Sequence, residues 1–204
     1  MPTPAFRAAL PFVLRWEGGF VHHPDDPGGA TNQGVTQRVY DAWRAGEGLG
    51  QRSVRLVDDD EVRAIYETGY WLPPHCDDLR SRLDLVQFDT AVNMGVGRAV
   101  RFLQASVGCP VDGQFGPVTQ GAAAECDLVS TSAAYCDARE AYYRRLALTR
   151  PNLGVFLKGW LNRLNALRGE TGFVTLKSAQ AIDFGDTGYV AKVPDLGEDP
   201  DYDI

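Results

Sequence analysis

Read for where its apolar residues fall, the chain is a succession of helical stripes separated by turn formers. Thr3 and Pro4 are a capping residue and a first-turn proline, and Phe6, Leu10 and Val13 then share one helical face. Pro11 interrupts that face and either kinks the helix or opens a shorter one, and Gly18-Gly19 ends it. Residues 20–36 are rich in turn formers, with room for a short hairpin. Val39 to Ala45 reads as a short helix. In "DDDEVRAIYETGYW" (58–71), Asp58 and Glu61 have the spacing of a capping box, and Val62, Ile65 and Tyr66 fall on one face. Leu83 to Met94 is strongly apolar and helical, "GVG" breaks it, and Arg98 to Val107 continues as another helix. "CPVDGQFGP" is a turn cluster, followed by helices at Val118 to Glu125, Thr131 to Leu148 and Val155 to Leu167. The last of these places Phe156, Trp160, Leu164 and Leu167 on one side, and Gly169 is expected to close it. The pattern predicts a mostly α (α+β) fold of seven or eight helices with a small hairpin or loop region near the N-terminus.

Charge separates the end of the chain from the rest. The net charge is -7, and from Asp183 onward there are seven acids and one lysine, leaving residues 1–182 close to neutral. The organisation expected is one helical body over residues 1–168 and an acidic, mobile tail over 169–204. A nearly neutral body lacks the clustered basic face that nucleic acid requires. No run approaches the eighteen apolar residues of a membrane span. Arg7, Pro11 and Arg15 interrupt the N-terminal stretch, so no secretory signal is read there. Synthesis in the cytoplasm is the expectation, with any outside role requiring another exit route. Cys76, Cys109, Cys126 and Cys136 form no CxxC pair and no zinc spacing, and free, mostly buried thiols are expected.

The chemistry concentrates in "WEGGFVHHPDDPGGATNQGVT" (16–36). Glu17 lies eleven residues after Phe6 and four after Val13, so at 100° per residue it continues their apolar stripe. A carboxyl at the end of a buried stripe is costly to ionise, a property that suits a proton donor. Gly18 and Gly19 leave space for something bulky to approach. Asp25 and Asp26 follow in a loop whose prolines and glycines set its turns, with Thr31 just beyond. A helix-end glutamate facing a loop aspartate makes a two-carboxylate site of the kind found in lysozyme, a pattern taken from general enzymology rather than from this chain. The plainer role for an aspartate in such a loop is to form the turn.

Beyond spacing, "EGGFVHHPDDPGGATNQGVT" resembles the signature of glycoside hydrolase family 108, the lysozyme-like muramidases of phage endolysins and bacterial secretion activators. "IYETGYW" (65–71), "QFDTAVNMGVGRAVRFLQ" (87–104), "VDGQFGPVT" (111–119) and "FLKGWLNRL" (156–164) resemble further segments of that family in the same order, covering about 1–168. Phe20 stands where tyrosine is more usual. The resemblance implies hydrolysis of the β-1,4 bond between N-acetylmuramic acid and N-acetylglucosamine, with a peptidoglycan-binding-like part at about 95–168. It maps Glu17 onto the catalytic general acid. By analogy with phage lysozymes, it makes Asp26 the base in preference to Asp25 and gives Thr31 a share in holding the water of an inverting reaction. No cofactor and no metal are expected. The expected partner is the glycan strand of peptidoglycan, met by a monomer that reaches the periplasmic wall through a holin pore, an exporter or lysis. A non-catalytic peptidoglycan-binding or export-assisting protein and a lytic transglycosylase are the rival readings.

Other signals carry alternatives. Tyr66, Tyr70 and Trp71 either line a sugar groove or pack in the core, with Trp71 the best placed for a groove because it ends its helix. Asn93 either caps its helix before Gly95 or bonds a substrate acetamido group. Asp89 reads as a buried structural acid satisfied by backbone or arginine. "GVGRAV" (95–100) lacks the third glycine and the preceding strand of a dinucleotide site. His22-His23 has too few companions for a metal centre. "VDGQFGPVT" more readily seats the next helix than touches glycan.

Overall fold

The structure, a computed structural model, describes residues 2–21 and 30–172. His22, His23, Asp25, Asp26 and residues 173–204 of the expected acidic tail lie outside the described residues, while 169–171 belong to the last helix. The fold is mostly α and lysozyme-like, with one two-stranded sheet among the described residues. Packing divides the chain into two compact units, Met1–Pro73 and Pro74–Ile204.

The first unit begins with α1 (Pro4–Leu14), capped where Thr3 Oγ1 accepts the Phe6 N–H at 3.3 Å. Pro11 does not open a shorter helix, and α1 runs through it. A helix-interior proline costs about 3 kcal/mol. Burial of Phe6, Ala9, Leu10, Phe12 and Val13 along one face opposes that cost. A hairpin follows, β1 (Thr31–Asn32) paired antiparallel with β2 (Val35–Thr36). Its loop is Gln33-Gly34, both in the left-handed region at φ 50° and 76°, the combination a two-residue type I′ turn demands. Thr36 caps α2 (Gln37–Gly46) through the Val39 N–H. Asp58 and Glu61 form the expected capping box at the start of α3 (Asp59–Tyr66). The helix then widens into a π-turn over Glu67–Trp71, where the Leu72 N–H bonds the Glu67 carbonyl five residues back.

One carboxylate holds this unit's polar interior together. Buried Glu61 accepts the Tyr40 hydroxyl at 2.6 Å and Arg44 Nη1 at 2.6 Å, and it also pairs with Arg52. The segment beside it fixes the hairpin. Asn32 Nδ2 donates to the Val54 carbonyl at 3.2 Å, and Gln37 Oε1 accepts the Val54 N–H at 2.8 Å.

The second unit is built from α4 (Leu83–Met94), α5 (Val96–Val107), α6 (Pro117–Glu125), α7 (Leu128–Thr149) and α8 (Leu157–Thr171). Gly95, at φ 84°, separates α4 from α5. "VDGQFGPVT" does seat the next helix: the Gln104 amide donates to Asp112 Oδ1, the Gln114 carbonyl and Thr119 Oγ1 at 2.7–3.1 Å, while its Oε1 accepts the Gly113 N–H. The expected stop at Gly169 is not where α8 ends. An isolated glycine inside a helix costs only about 1 kcal/mol, and the helix continues to Gly172, whose φ of 72° makes it the left-handed cap. All four cysteines are free. Cys76 and Cys136 are buried and Cys109 and Cys126 half-buried. Burial pushes the Cys136 thiol up to about 11. No described helix is long and apolar enough to cross a membrane.

Candidate active site

In the first unit the end of α1, the hairpin tip and the end of α3 converge on Glu17. The helix stops at Leu14, and the chain tightens into i→i+3 bonds, Trp16 N–H to Val13 O and Glu17 N–H to Leu14 O. Glu17 therefore sits on a turn past the helix rather than on its buried stripe, and it is half-buried. The 100° extrapolation fails because a tightened last turn no longer advances by that angle. Among the described residues, a Cβ added at Gly18 or Gly19 would meet nothing within 4 Å.

Opposite Glu17 stands the hairpin tip. A Cβ built on Gly34 would lie 2.8 Å from Glu17 Oε2 and 3.0 Å from Glu17 Cγ, and closer still to the Tyr66 hydroxyl. Tyr66 is buried and donates that hydroxyl to the Gln33 carbonyl at 2.9 Å. The Tyr70 ring lies 5.7 Å from that of Tyr66. Burial and the charge of Glu17 both push the Tyr70 phenol up, against an opposing pull from Arg38.

The described residues that flank positions 22–29 are joined to one another and to α2. Val21 and Thr31 exchange backbone hydrogen bonds of 2.8 Å each way, and the Ala30 carbonyl accepts the Gln37 N–H at 2.8 Å. Thr31 thus lies on β1, one register position from the tip. Asp25 and Asp26 are outside the described residues.

The expectation that Trp71 lines a sugar groove does not hold. It is 0% exposed and meets Phe6 edge-on, with centroids 5.4 Å apart at 62°. No face remains for a pyranose ring. The π-turn, invisible in a 3.6-residue reading, changes which way the end of this segment points. Tyr66 is also core, and its hydroxyl end, like Glu17, lies against Gly34. What the sequence reading missed is the part played by Gly34. Its signal was the two-residue "QG" between "TN" and "VT", a hairpin spacing.

Asn93 belongs to the second unit and does something not foreseen. Its Oδ1 accepts the Tyr143 hydroxyl and so joins a buried network around Asp89. Asp89, fully buried, is clamped between Arg139 at 2.7 Å and Arg163 at 2.8 Å. Arg139 also donates to Thr90 Oγ1 at 3.1 Å and to the Tyr143 hydroxyl at 2.9 Å. Burial works to raise the Asp89 carboxyl, but the two guanidiniums outweigh it and hold the group below its ordinary range. This is the structural acid expected from the sequence.

With this geometry in hand, the comparisons with known proteins agree on a class. Residues 10–95 match the model of the family described as "Glycosyl hydrolase 108", and residues 98–165 match one described as "Predicted Peptidoglycan domain". The chain belongs to glycosyl hydrolase family 108, a family of peptidoglycan-related glycosidases. It is similar to the solved structure of Brucella abortus SagA, with 35% identity, a TM-score of 0.69, and coverage of 86% of this chain and 98% of that one. None of the curated proteins matches. The two matched segments meet near Gly95, whereas packing divides the chain at Pro73-Pro74. Helix α4 explains the offset: it falls in the first matched segment but packs against α5, α7 and α8 of the second unit.

Proposed function

We propose that this protein is an N-acetylmuramidase that hydrolyses the β-1,4 bond between N-acetylmuramic acid and N-acetylglucosamine. The observation that carries the reading is the setting of Glu17: a half-buried carboxyl beside Gly18-Gly19 and close to Gly34 of the hairpin tip, in the matched glycosidase segment. In this reading Glu17 is the general acid and protonates the departing glycosidic oxygen. Asp26 is the base that takes a proton from water, and Thr31 helps hold that water. Attack on the opposite face of the sugar then inverts the anomeric carbon, a geometry that in general needs carboxyl groups about 6.5–9.5 Å apart. Tyr66 supports the acid rather than stacking on sugar. The enzyme works as a monomer and reaches the wall through a holin pore or an exporter.

Mass spectrometry of muropeptides released from purified sacculi tests the reaction. Muramic acid at reducing ends is the expected product. Anhydro-muramic ends would make the protein a lytic transglycosylase. Binding to sacculi with no release would make it a non-catalytic wall binder.

A further inference from the structure

We infer that Arg55 is a specificity-determining residue: its guanidinium, held over the Phe20 ring, takes a carboxylate that the muramic acid residue of the wall carries on its lactyl group or on the peptide attached there. This inference rests on the muramidase reading and names what the site recognises besides sugar.

The first unit, Met1–Pro73, holds seven arginines and no lysine against ten acids, a net charge of -3. Such a unit offers an anionic wall polymer no general attraction, so recognition of its carboxylates falls to individual cations. Three of the arginines are spent internally, Arg44 and Arg52 on Glu61 and Arg63 on Asp60. Arg55 is exposed and held differently. Its N–H donates to Ser53 Oγ and its carbonyl accepts Asn32 Nδ2, each at 3.4 Å, which ties its backbone to β1. Its guanidinium lies 5.1 Å from the centroid of the Phe20 ring and, among the described residues, makes no hydrogen bond or ion pair.

Phe20 follows Glu17 by three residues, with Gly18-Gly19 between, so their Cα atoms are at most about 11 Å apart. The ring is 39% exposed, and its neighbour Val21 is bridged to Thr31 of β1. Arg55 is therefore joined to the segment of the acid through Phe20 and to the hairpin through Asn32. Contact with a ring uses none of the five N–H donors of a guanidinium. It narrows the side chain's freedom before any ligand arrives, and the planar fork left over matches a carboxylate with two parallel N–H···O bonds. Sugar hydroxyls and acetamido groups have no use for that charge. The lactyl substituent, which distinguishes muramic acid from N-acetylglucosamine, ends in a carboxyl or in a peptide that bears carboxylates.

The test compares three soluble glycans: peptide-bearing strands, strands stripped of peptide by an amidase, and peptide-bearing strands with their carboxylates converted to amides. Turnover is measured over a range of strand concentrations, and equilibrium binding is read in the Glu17→Gln background. The variants of the whole chain are Arg55→Gln, Arg55→Lys and Arg7→Gln, the last removing an equal charge from an exposed position on α1. Arg55→Gln should raise Kd and half-saturation by about 3–10-fold with turnover at saturation kept, the range for a charge-assisted contact at an exposed site. Arg55→Lys, which keeps the charge and loses the fork, should fall between. Arg7→Gln should match wild type. A rise on peptide-bearing strands alone assigns the carboxylate to the peptide, and a rise that persists on stripped strands assigns it to the lactyl group, which stripping frees. On amidated strands Arg55→Gln should bind like wild type. The inference is overturned if Arg55→Gln binds both charged strands like wild type, if it loses as much on amidated strands, or if Arg7→Gln loses as much. Should Arg55→Gln fail to fold, Arg55→Lys decides by the same comparison of charged with amidated strands. Failure of the muramidase reading shows in turnover, as strands that are bound and not cut, and leaves the binding comparison to judge Arg55.

Discussion

Glu17 and Asp89 are carboxylates embedded in apolar sequence, and the fold treats them in opposite ways. Asp89 is sealed between Arg139 and Arg163 with no exposed surface. Glu17 is half-buried, set among tyrosines and a glycine, with open backbone beside it. Two fixed cations hold Asp89 in its charged form, so it is a structural bolt between α4, α7 and α8. The burial of an acid therefore does not by itself mark a catalytic group, and in Asp89 it is the two arginine partners that identify a structural one.

The sharpest way to break this comparison is to neutralise each acid. Glu17→Gln should keep its unfolding midpoint and lose roughly 10²–10⁴-fold in wall lysis, the usual worth of a general acid. Near wild-type lysis by the purified variant would remove Glu17 from the chemistry. The loop partner comes next. Asp26→Ala should cut turnover strongly while sparing binding, the signature of a group acting in the transition state. Asp25→Ala should act mildly, as the loss of a turn contact. The reverse order of severity would shift the assignment by one residue.

On the other side of the comparison, Asp89→Asn should be a stability variant. Removing one partner of a buried ion pair costs about 3–5 kcal/mol because it strands the other charges, and urea unfolding at neutral pH reads this directly. The pH dependence has a fixed sign. The folded Asp89 carboxyl titrates below its unfolded value. Its contribution is therefore complete above the unfolded value, about 3.9, and is lost as pH falls through the folded one. The stability gap between wild type and Asp89→Asn should be constant at neutral pH and close only in acid below about 4. A gap that closes on the alkaline side would contradict the clamp. The smallest effect is expected from truncation after Gly172. The helix it follows is already capped there, so both midpoint and turnover should stay within error. A large fall in midpoint would show that residues 173–182 support the body.

Much of the second unit was legible in the chain, because helix boundaries there are written locally. Gly95 between α4 and α5 and the turn before α6 are set by residues within a few positions of the event. The same holds in the first unit for Thr3 before α1 and for the capping box of α3. Where a local rule had a competitor it could lose: Gly169, expected to close α8, is carried through it, because the buried face of that helix outweighs a breaker of about 1 kcal/mol. Of the two outcomes open to Pro11, the shorter helix is excluded, since α1 runs through it.

By itself, then, the sequence determined the class of the protein. The apolar period sets a mostly α fold, and the ordered motifs from Glu17 to Trp160 set the family, since both are recorded residue by residue along the chain. Only the tertiary structure decided what several of the polar and aromatic residues are for. Trp71 became core because a π-turn changed the register, and Asn93 became a network member because Tyr143, fifty positions away, reaches it. Glu17 came to face Gly34 and Tyr66 because a hairpin tip and a helix end meet at the same point. Those outcomes depend on contacts between segments distant in sequence, and no local pattern of apolar and polar positions records which segments will touch.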